Sequence, residues 1–394
     1  MKKKTKAFKQ KTAQTNKSVQ EEAVAYSYPA KKSMLNYASL EINNFRCLQN
    51  LHIEQLGRVN LITGINNVGK TSLLEGLFLH MGSMNPALAL LIDSFRGLEI
   101  LNEMAGSRWR TLFWQFKYTA PIRIVSRNSK GSQRSLTITL KPSSSTIFEG
   151  KIARGETELE SLGQDIVLTY KDDNKKPAQV VGTPMIIKKE DIVRLQLKME
   201  PLPPPPPFPG MFISSRHQGG IEEGIQRFSD LRKKRQDEFI LGALKFIEPR
   251  LEKLEILSYQ GISMLHGYLK GYDEPVPSPL LGDGVKRVMS LLLAIGSSRN
   301  GVVLVDEVEN GIHHSLMPSV WGAIAEGASL FNAQVFATTH SAECVYAAHE
   351  AFKAREYYDF KLHRLDRVDG VVKAVTYDQE SLEGALSIPL EVRG

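Results

Sequence analysis

Hydrophobic and polar positions divide the chain into stretches of different period. From Ala38 to Asn44 apolar residues alternate, placing Leu40, Ile42 and then Phe45 on one face of a strand. A second short run covers Leu51 to Ile53, and Val59-Asn60-Leu61-Ile62 is the near-continuous apolar type of a strand buried on both sides. A Gly-rich turn then leads into Thr71 to Met81, which reads as a helix, and residues 86–104 are apolar at helical spacing. From Ile122 to about Lys188 the pattern becomes β-like. Ser135–Leu140, Asp165–Tyr170 and Val180–Ile187 are separated by polar turns.

The run Pro201-Leu-Pro-Pro-Pro-Pro-Pro-Phe-Pro209 favours polyproline II and acts as a stiff connector. Helical spacing returns over 221–256, where Ile240, Leu244, Ile247, Leu251 and Leu254 recur every three or four positions around Pro249. Beyond Leu280 the expected order is helix, strand, helix, strand, helix, then final strands at Tyr357–Leu365 and Val371–Tyr377. Strands and helices alternating at both ends predict one α/β core split by a middle lobe.

Charge changes the picture only at the start. Residues 1–32 carry nine lysines and two glutamates, which is the whole net charge of +7, so the remainder is neutral. Without hydrophobic periodicity, residues 1–33 are expected to be a disordered basic tail, open to an acidic trigger or nucleic acid. No apolar run is long enough for a transmembrane helix, and the Lys-rich start lacks the apolar region of a secretory signal. Cys47 and Cys344 lie far apart, which excludes a disulfide framework or zinc cluster and fits the reducing cytoplasm. A cytoplasmic location with no membrane partner is expected.

Four segments carry chemistry. Gly64-Ile-Asn66-Asn67-Val68-Gly69-Lys70-Thr71, followed by Ser72, matches G-x-x-x-x-G-K-[ST] between a buried strand and a helix start. Its backbone N–H groups would close around phosphates, Lys70 would pair β and γ oxygens, and the Thr71 hydroxyl would ligate Mg²⁺. Gly301-Val-Val-Leu-Val305 is a buried strand ending in Asp306 and Glu307. Asp306 would hold Mg²⁺ and Glu307 act as general base or orient the attacking water. Val335-Phe-Ala-Thr-Thr339 ends in His340 at the same sheet edge, in reach of a γ-phosphate. Gly282-Asp283-Gly284 opens an apolar helix and has the geometry of an anion site.

Together these segments resemble the ABC-type ATPases, in particular the RecF, SMC and OLD-like branch. Ile42-Asn-Asn-Phe45-Arg46 and Asp306-Glu307-Val-Glu309-Asn310-Gly311-Ile-His313 carry that likeness too, over about residues 38–82 and 221–394. The resemblance implies a P-loop NTPase of ABC-ATPase type, with a mixed, mostly parallel sheet flanked by helices and a β-rich and helical middle insertion. It implies ATP and Mg²⁺, with Lys70 and Thr71 as Walker A, Asp306 and Glu307 as Walker B, 309–313 as D-loop and His340 as switch histidine. It also implies a dimer or higher oligomer joined through the ATP sites, because Gly282 to Gly284 would face the γ-phosphate of a neighbour. Gly282 stands where the family signature often has Ser, which points to slow turnover, with backbone amides and Lys286 or Arg287 as compensating donors. Gln115 is the candidate for the family's Q-loop glutamine.

The expected organisation is a tail over 1–33 and the first part of the core over 34–120. A β-rich insertion with the polyproline connector follows over 121–220. A helical lobe with return strands over 221–279 leads into the second part of the core at 280–394.

Within that branch the chain looks most like compact anti-phage defence ATPases such as the ATPase subunit of PARIS. The Leu-Gly-Asp-Gly signature, the Glu309–His313 run and the ending Leu390-Glu-Val-Arg393 carry this likeness. OLD nucleases append a TOPRIM domain, whereas 54 residues follow His340 and no Asp-x-Asp pair occurs. Cleavage, if any, is therefore expected from a separate nuclease or toxin effector. The leading expectation is an ATP-driven oligomeric switch in defence. The alternatives are a RecF-like DNA-binding repair ATPase, for which Arg232-Lys-Lys-Arg235 would contact phosphates, and an ATP-dependent scaffold with little turnover.

Overall fold

Two sheets of opposite character organise the molecule. The computed structural model describes residues 34–97, 109–143, 148–151, 156–161, 163–173, 175–189, 192–215 and 221–387. The predicted tail over 1–33, the end of the second predicted helix (98–104) and Leu390–Arg393 lie outside the described residues.

The chain opens with a hairpin of β1 (Ser39–Phe45) and β2 (Leu48–Ile53), then runs through β3 (Val59–Thr63) into α1 (Lys70–Met81) and α2 (Ala87–Phe95). Seven strands follow. They are β4 (Ile122–Arg127), β5 (Gln133–Pro142), β6 (Phe148–Lys151), β7 (Glu156–Ser161), β8 (Gln164–Asp172), β9 (Ala178–Lys189) and β10 (Ile192–Glu200). The polyproline stretch then leads to β11 (Gly210–Ile213), α3 (Ile221–Lys233) and α4 (Asp237–Lys245). A small lobe of β12 (Leu251–Tyr259), β13 (Ile262–Leu269) and β14 (Val276–Pro277) precedes α5 (Asp283–Ser297) and β15 (Val302–Val305). The chain ends with α6 (Met317–Leu330), β16 (Gln334–Thr338), α7 (Ala342–Lys353), β17 (Phe360–Val368), β18 (Val371–Tyr377) and α8 (Gln379–Ser387).

The first sheet has the order β11-β15-β16-β3-β17-β18, parallel except for the terminal β17–β18 pair. Every residue of β3, β15 and β16 is buried. Alternate side chains explain why. Leu61, Val303, Val305, Val335 and Ala337 join the core formed with α5, α6 and α7. Ile62, Val302, Leu304 and Phe336 point the other way, into a core shared with α1 and the second sheet. Strands covered on both faces need apolar residues at consecutive positions, and these have them.

The second sheet is antiparallel throughout. It begins with β2, β1, β4, β5, β8 and β9, with β7, β6 and β10 beyond. The opening hairpin and the β-rich segment after residue 121 therefore share one sheet, whereas β11 returns to the parallel one. One face is core, with Ile42, Ile124, Leu136, Ile138 and Leu168 fully or almost fully buried.

Two elements depart from the sequence reading. The helical reading of 221–256 stops at Lys245, because Leu251 to Tyr259 is strand. A register shift between Leu251 and Lys253 puts Leu251 and Leu254, three apart, on the same buried face. That bulge imitates a helical period in the sequence. The closing helix α8 was not expected. It is nine residues long and buries only Leu382 and Ala385, too little to stand out as a pattern.

Candidate functional site

Parallel pairing brings the C-terminal ends of β3, β15 and β16 to one edge, where open α/β sheets place their ligands. The P-loop, Asp306-Glu307 and Thr339-His340 follow those three ends. They meet around a cleft of about 1170 Å³ that Asn66, Lys70, Thr71, Asp306, Glu307 and His340 help to line. Asn67, Gly69 and Ser72 border it as well, while Val68 is buried beneath. A smaller cavity of about 430 Å³ in the β12–β14 lobe contains none of these groups.

The P-loop needs its two glycines. Gly64 and Gly69 have φ of +139° and +118°. A Cβ at Gly64 would collide with the Leu365 carbonyl, and one at Gly69 would lie 2.9 Å from Cys47 Sγ and Leu48 Cδ2. Lys70 is 5% exposed, and its ammonium donates to the carbonyls of Gly64 (2.7 Å) and Ile65 (3.0 Å). Burial lowers its pKa, while Asp306, Glu309 and Glu307 act in the opposite sense. A buried cation held mainly by neutral carbonyls gains from an anion placed beside it.

Thr71 Oγ1 donates to Asp306 at 3.1 and 3.2 Å from the two carboxylate oxygens. Asp306 also accepts from Thr338 Oγ1 (2.7 Å) and Ser215 Oγ (3.5 Å). A hydroxyl and a carboxylate are hard oxygen donors suited to Mg²⁺. Among the described residues no cluster of three or more His, Cys, Asp or Glu could hold a metal by itself. Mg²⁺ at Thr71 and Asp306 fits as an ion that takes its remaining ligands from phosphate and water.

His340 Nε2 lies 3.0 Å from Glu307 Oε1. Glu309 Oε1 accepts from both the His340 N–H and Thr339 Oγ1, each at 2.8 Å, which fixes the turn that presents the imidazole. Glu307 itself has φ of +50°, and its N–H donates to Thr338 Oγ1 at 2.8 Å. Gln115, in a turn with φ of +50°, borders the same cleft.

Gly282, Asp283 and Gly284 stand apart from this group. None of them borders the cleft. Space around Gly282 is open, Asp283 is paired with Lys286 (2.6 Å), and a Cβ at Gly284 would sit 3.4 Å from the Gly311 carbonyl. The expectation that Lys286 or Arg287 supplies a donor outward to nucleotide is corrected for Arg287. Its guanidinium is buried and donates to the carbonyls of Asp306, Glu307 and Ser214.

Sequence reasoning also missed the wall beside α1. Arg96 binds Glu75 (2.6 Å), and Arg46 bridges Glu75 (3.3 Å) and Asp93 (2.7 Å). Burial raises the Glu75 pKa against the opposing pull of Arg96 and Arg46. The available signal was one acidic residue inside the apolar run Leu73-Leu-Glu75-Gly-Leu77.

Known proteins share features with this chain. One family model, described as "AAA domain", matches residues 39–193, and another, "AAA domain, putative AbiEii toxin, Type IV TA system", matches 185–345. The chain is 25% identical to an ATP/GTP phosphatase of Helicobacter pylori over 376 residues, spanning 88% of this chain and 96% of that protein. Among solved structures it is similar to the SMC head domain from Thermotoga maritima, with 13% identity and a TM-score of 0.41, covering 87% of this chain and 99% of that one. An SMC head bound to the C-winged helix domain of ScpA gives 13% identity and a TM-score of 0.47, with 89% and 99% covered. The P-loop, the parallel α/β core and the similarity to AAA-domain proteins together mark a P-loop NTPase fold and an ATPase.

Proposed function

We propose that this protein is an ATP-hydrolysing oligomeric switch that controls a separate nuclease or toxin effector in bacterial anti-phage defence. The observation that carries the reading is the meeting of Lys70, Thr71, Asp306, Glu307 and His340 around one cleft. Lys70 binds the β and γ oxygens, exchanging two carbonyl partners for anionic ones. Thr71 and Asp306 would hold Mg²⁺, which would supply charge neutralisation at the phosphates. Glu307 orients a water and takes its proton, and His340, 3.0 Å from that carboxylate, senses the γ-phosphate.

Gly282 to Gly284 lie outside their own cleft with open space at Gly282, which supports their use in a neighbour's site. Self-association through ATP then follows from the chemistry. The family description that names a toxin and a toxin–antitoxin system supports the defence setting. A cytoplasmic location accords with the absence, among the described residues, of any helix long and apolar enough to cross a membrane.

The test is the solution mass of wild type and Lys70→Ala, with and without ATP, with short duplex DNA in parallel. Assembly that needs ATP and Lys70 and ignores DNA is the expected result, whereas ATP-dependent DNA capture favours a repair clamp. Glu307→Gln should lower kcat by about 10²-fold or more. Unchanged assembly and biological output in that variant would make hydrolysis irrelevant and leave a scaffold.

A further inference from the structure

Arg287 occupies a costly position. Its side chain is 1% exposed, and burial lowers its pKa although Asp306, Glu307 and Glu309 oppose that shift. Burying a guanidinium carries a large desolvation penalty unless its donors are satisfied. Among the described residues its hydrogen bonds run to main-chain oxygens. Nη2 donates to Asp306 O at 2.7 Å and Glu307 O at 3.0 Å, and Nη1 to Ser214 O at 3.4 Å.

Those first two carbonyls belong to the peptide groups on either side of Glu307. Between them Glu307 holds φ of +50°, a region that non-glycine residues occupy only when their surroundings enforce it. One nitrogen thus fixes both peptide planes that determine where the Glu307 side chain leaves the backbone. Arg287 sits on α5, three residues after Gly284, where an added Cβ would meet the Gly311 carbonyl at 3.4 Å. The first turns of α5 therefore run beside the Asp306–Gly311 segment, and Arg287 bonds to it directly.

We propose that Arg287 is the positioning residue of Glu307, aiming the carboxylate through its backbone and tying it to the helix that starts at the Gly282–Gly284 segment. The inference rests on the hydrolytic role of Glu307 given above. A shift of α5 displaces Arg287, and with it the carbonyls that hold the carboxylate in reach of a water.

The experiment is steady-state ATP hydrolysis and nucleotide titration with the full chain carrying Arg287→Lys, alone and combined with Glu307→Gln. Lysine keeps the charge but lacks the forked donor geometry. The expected result is a kcat about tenfold lower or more, with KM and nucleotide affinity changed by less than about twofold. In the Glu307→Gln background the same substitution should have almost no further effect on kcat, because the two residues act as one unit.

Arg287→Gln, which removes the buried charge and keeps an N–H donor, gives the same split where the lysine variant does not fold. Wild-type kcat in a folded variant, or an equal kcat loss in the Glu307→Gln background, overturns the assignment. Loss of nucleotide binding in both Arg287 variants overturns it too, since Arg287 is then a core residue only. A fully active Glu307→Gln enzyme instead removes the catalytic reading of Glu307 itself.

Discussion

The parallel and antiparallel sheets use the same kinds of backbone bond but expose different things to solvent. β3, β15 and β16 bury every residue, so the parallel sheet offers chemistry only at its strand ends. The antiparallel sheet buries one face and leaves Arg123 and Arg127 exposed and Thr137 and Thr169 half-buried on the other. Coverage on both faces explains the convergence at the cleft. With their lengths enclosed by two cores, the strands place Asp306 and His340 just beyond their ends, where an ATP-sized ligand has access.

Stability should divide along the same line. Trp321 on α6 is fully buried against the parallel sheet's core, with its ring edge-on to Phe360. Trp321→Ala should cost about 3–5 kcal/mol, read as a lower urea midpoint at unchanged slope. Arg123→Ala on the exposed face of the antiparallel sheet should change stability by less than about 0.5 kcal/mol. Equal losses at the two positions would break the comparison, because the polar face would then be hidden.

Acid sharpens it. Desolvation lowers the pKa of His363, on β17, from 6.5 to about 3, and that of His80, on the α1 side facing Tyr37 and Arg134, to about 4. Both are neutral in the folded protein while the unfolded chain takes up protons below about pH 6.5. Their contribution to stability is full above that pH and is lost as pH falls, through about 4 for His80 and about 3 for His363. Each histidine removes roughly 1 kcal/mol per pH unit inside its window. His80→Asn and His363→Asn, each measured by urea unfolding from pH 7 to 4, should each flatten the slope. A slope unchanged in both variants would place the acid sensitivity elsewhere.

The difference between the sheets also explains what the sequence revealed. The P-loop is eight consecutive residues, and its chemistry survives being read as a string. Asp306 and His340 were legible because each closely follows an apolar run that marks a strand buried on both faces. Arg287 was misread because its contacts lie across the fold, at Ser214, Asp306 and Glu307. Its phase was nevertheless visible. Arg287, Leu291 and Ala294 fall on one stripe of α5, and all three are buried. The antiparallel sheet's membership was hidden for a different reason. Pairing of β1 with β4 joins segments about 80 residues apart, and no local pattern records it.

A smaller effect than that of Trp321→Ala is expected at the chemical edge of the parallel sheet. Ser341 caps α7, its Oγ accepting from the Cys344 N–H at 3.1 Å while it donates to Glu343 Oε2 at 2.6 Å. Ser341→Ala should lower stability by about 1 kcal/mol, seen as a small fall in the urea midpoint. His340 is held independently, by its own N–H to Glu309 and its ring to Glu307, so turnover should stay within about twofold. If hydrolysis instead falls in proportion to stability, the turn after β16 is not fixed by Glu309. The strand end would then owe its geometry to the helix that follows it.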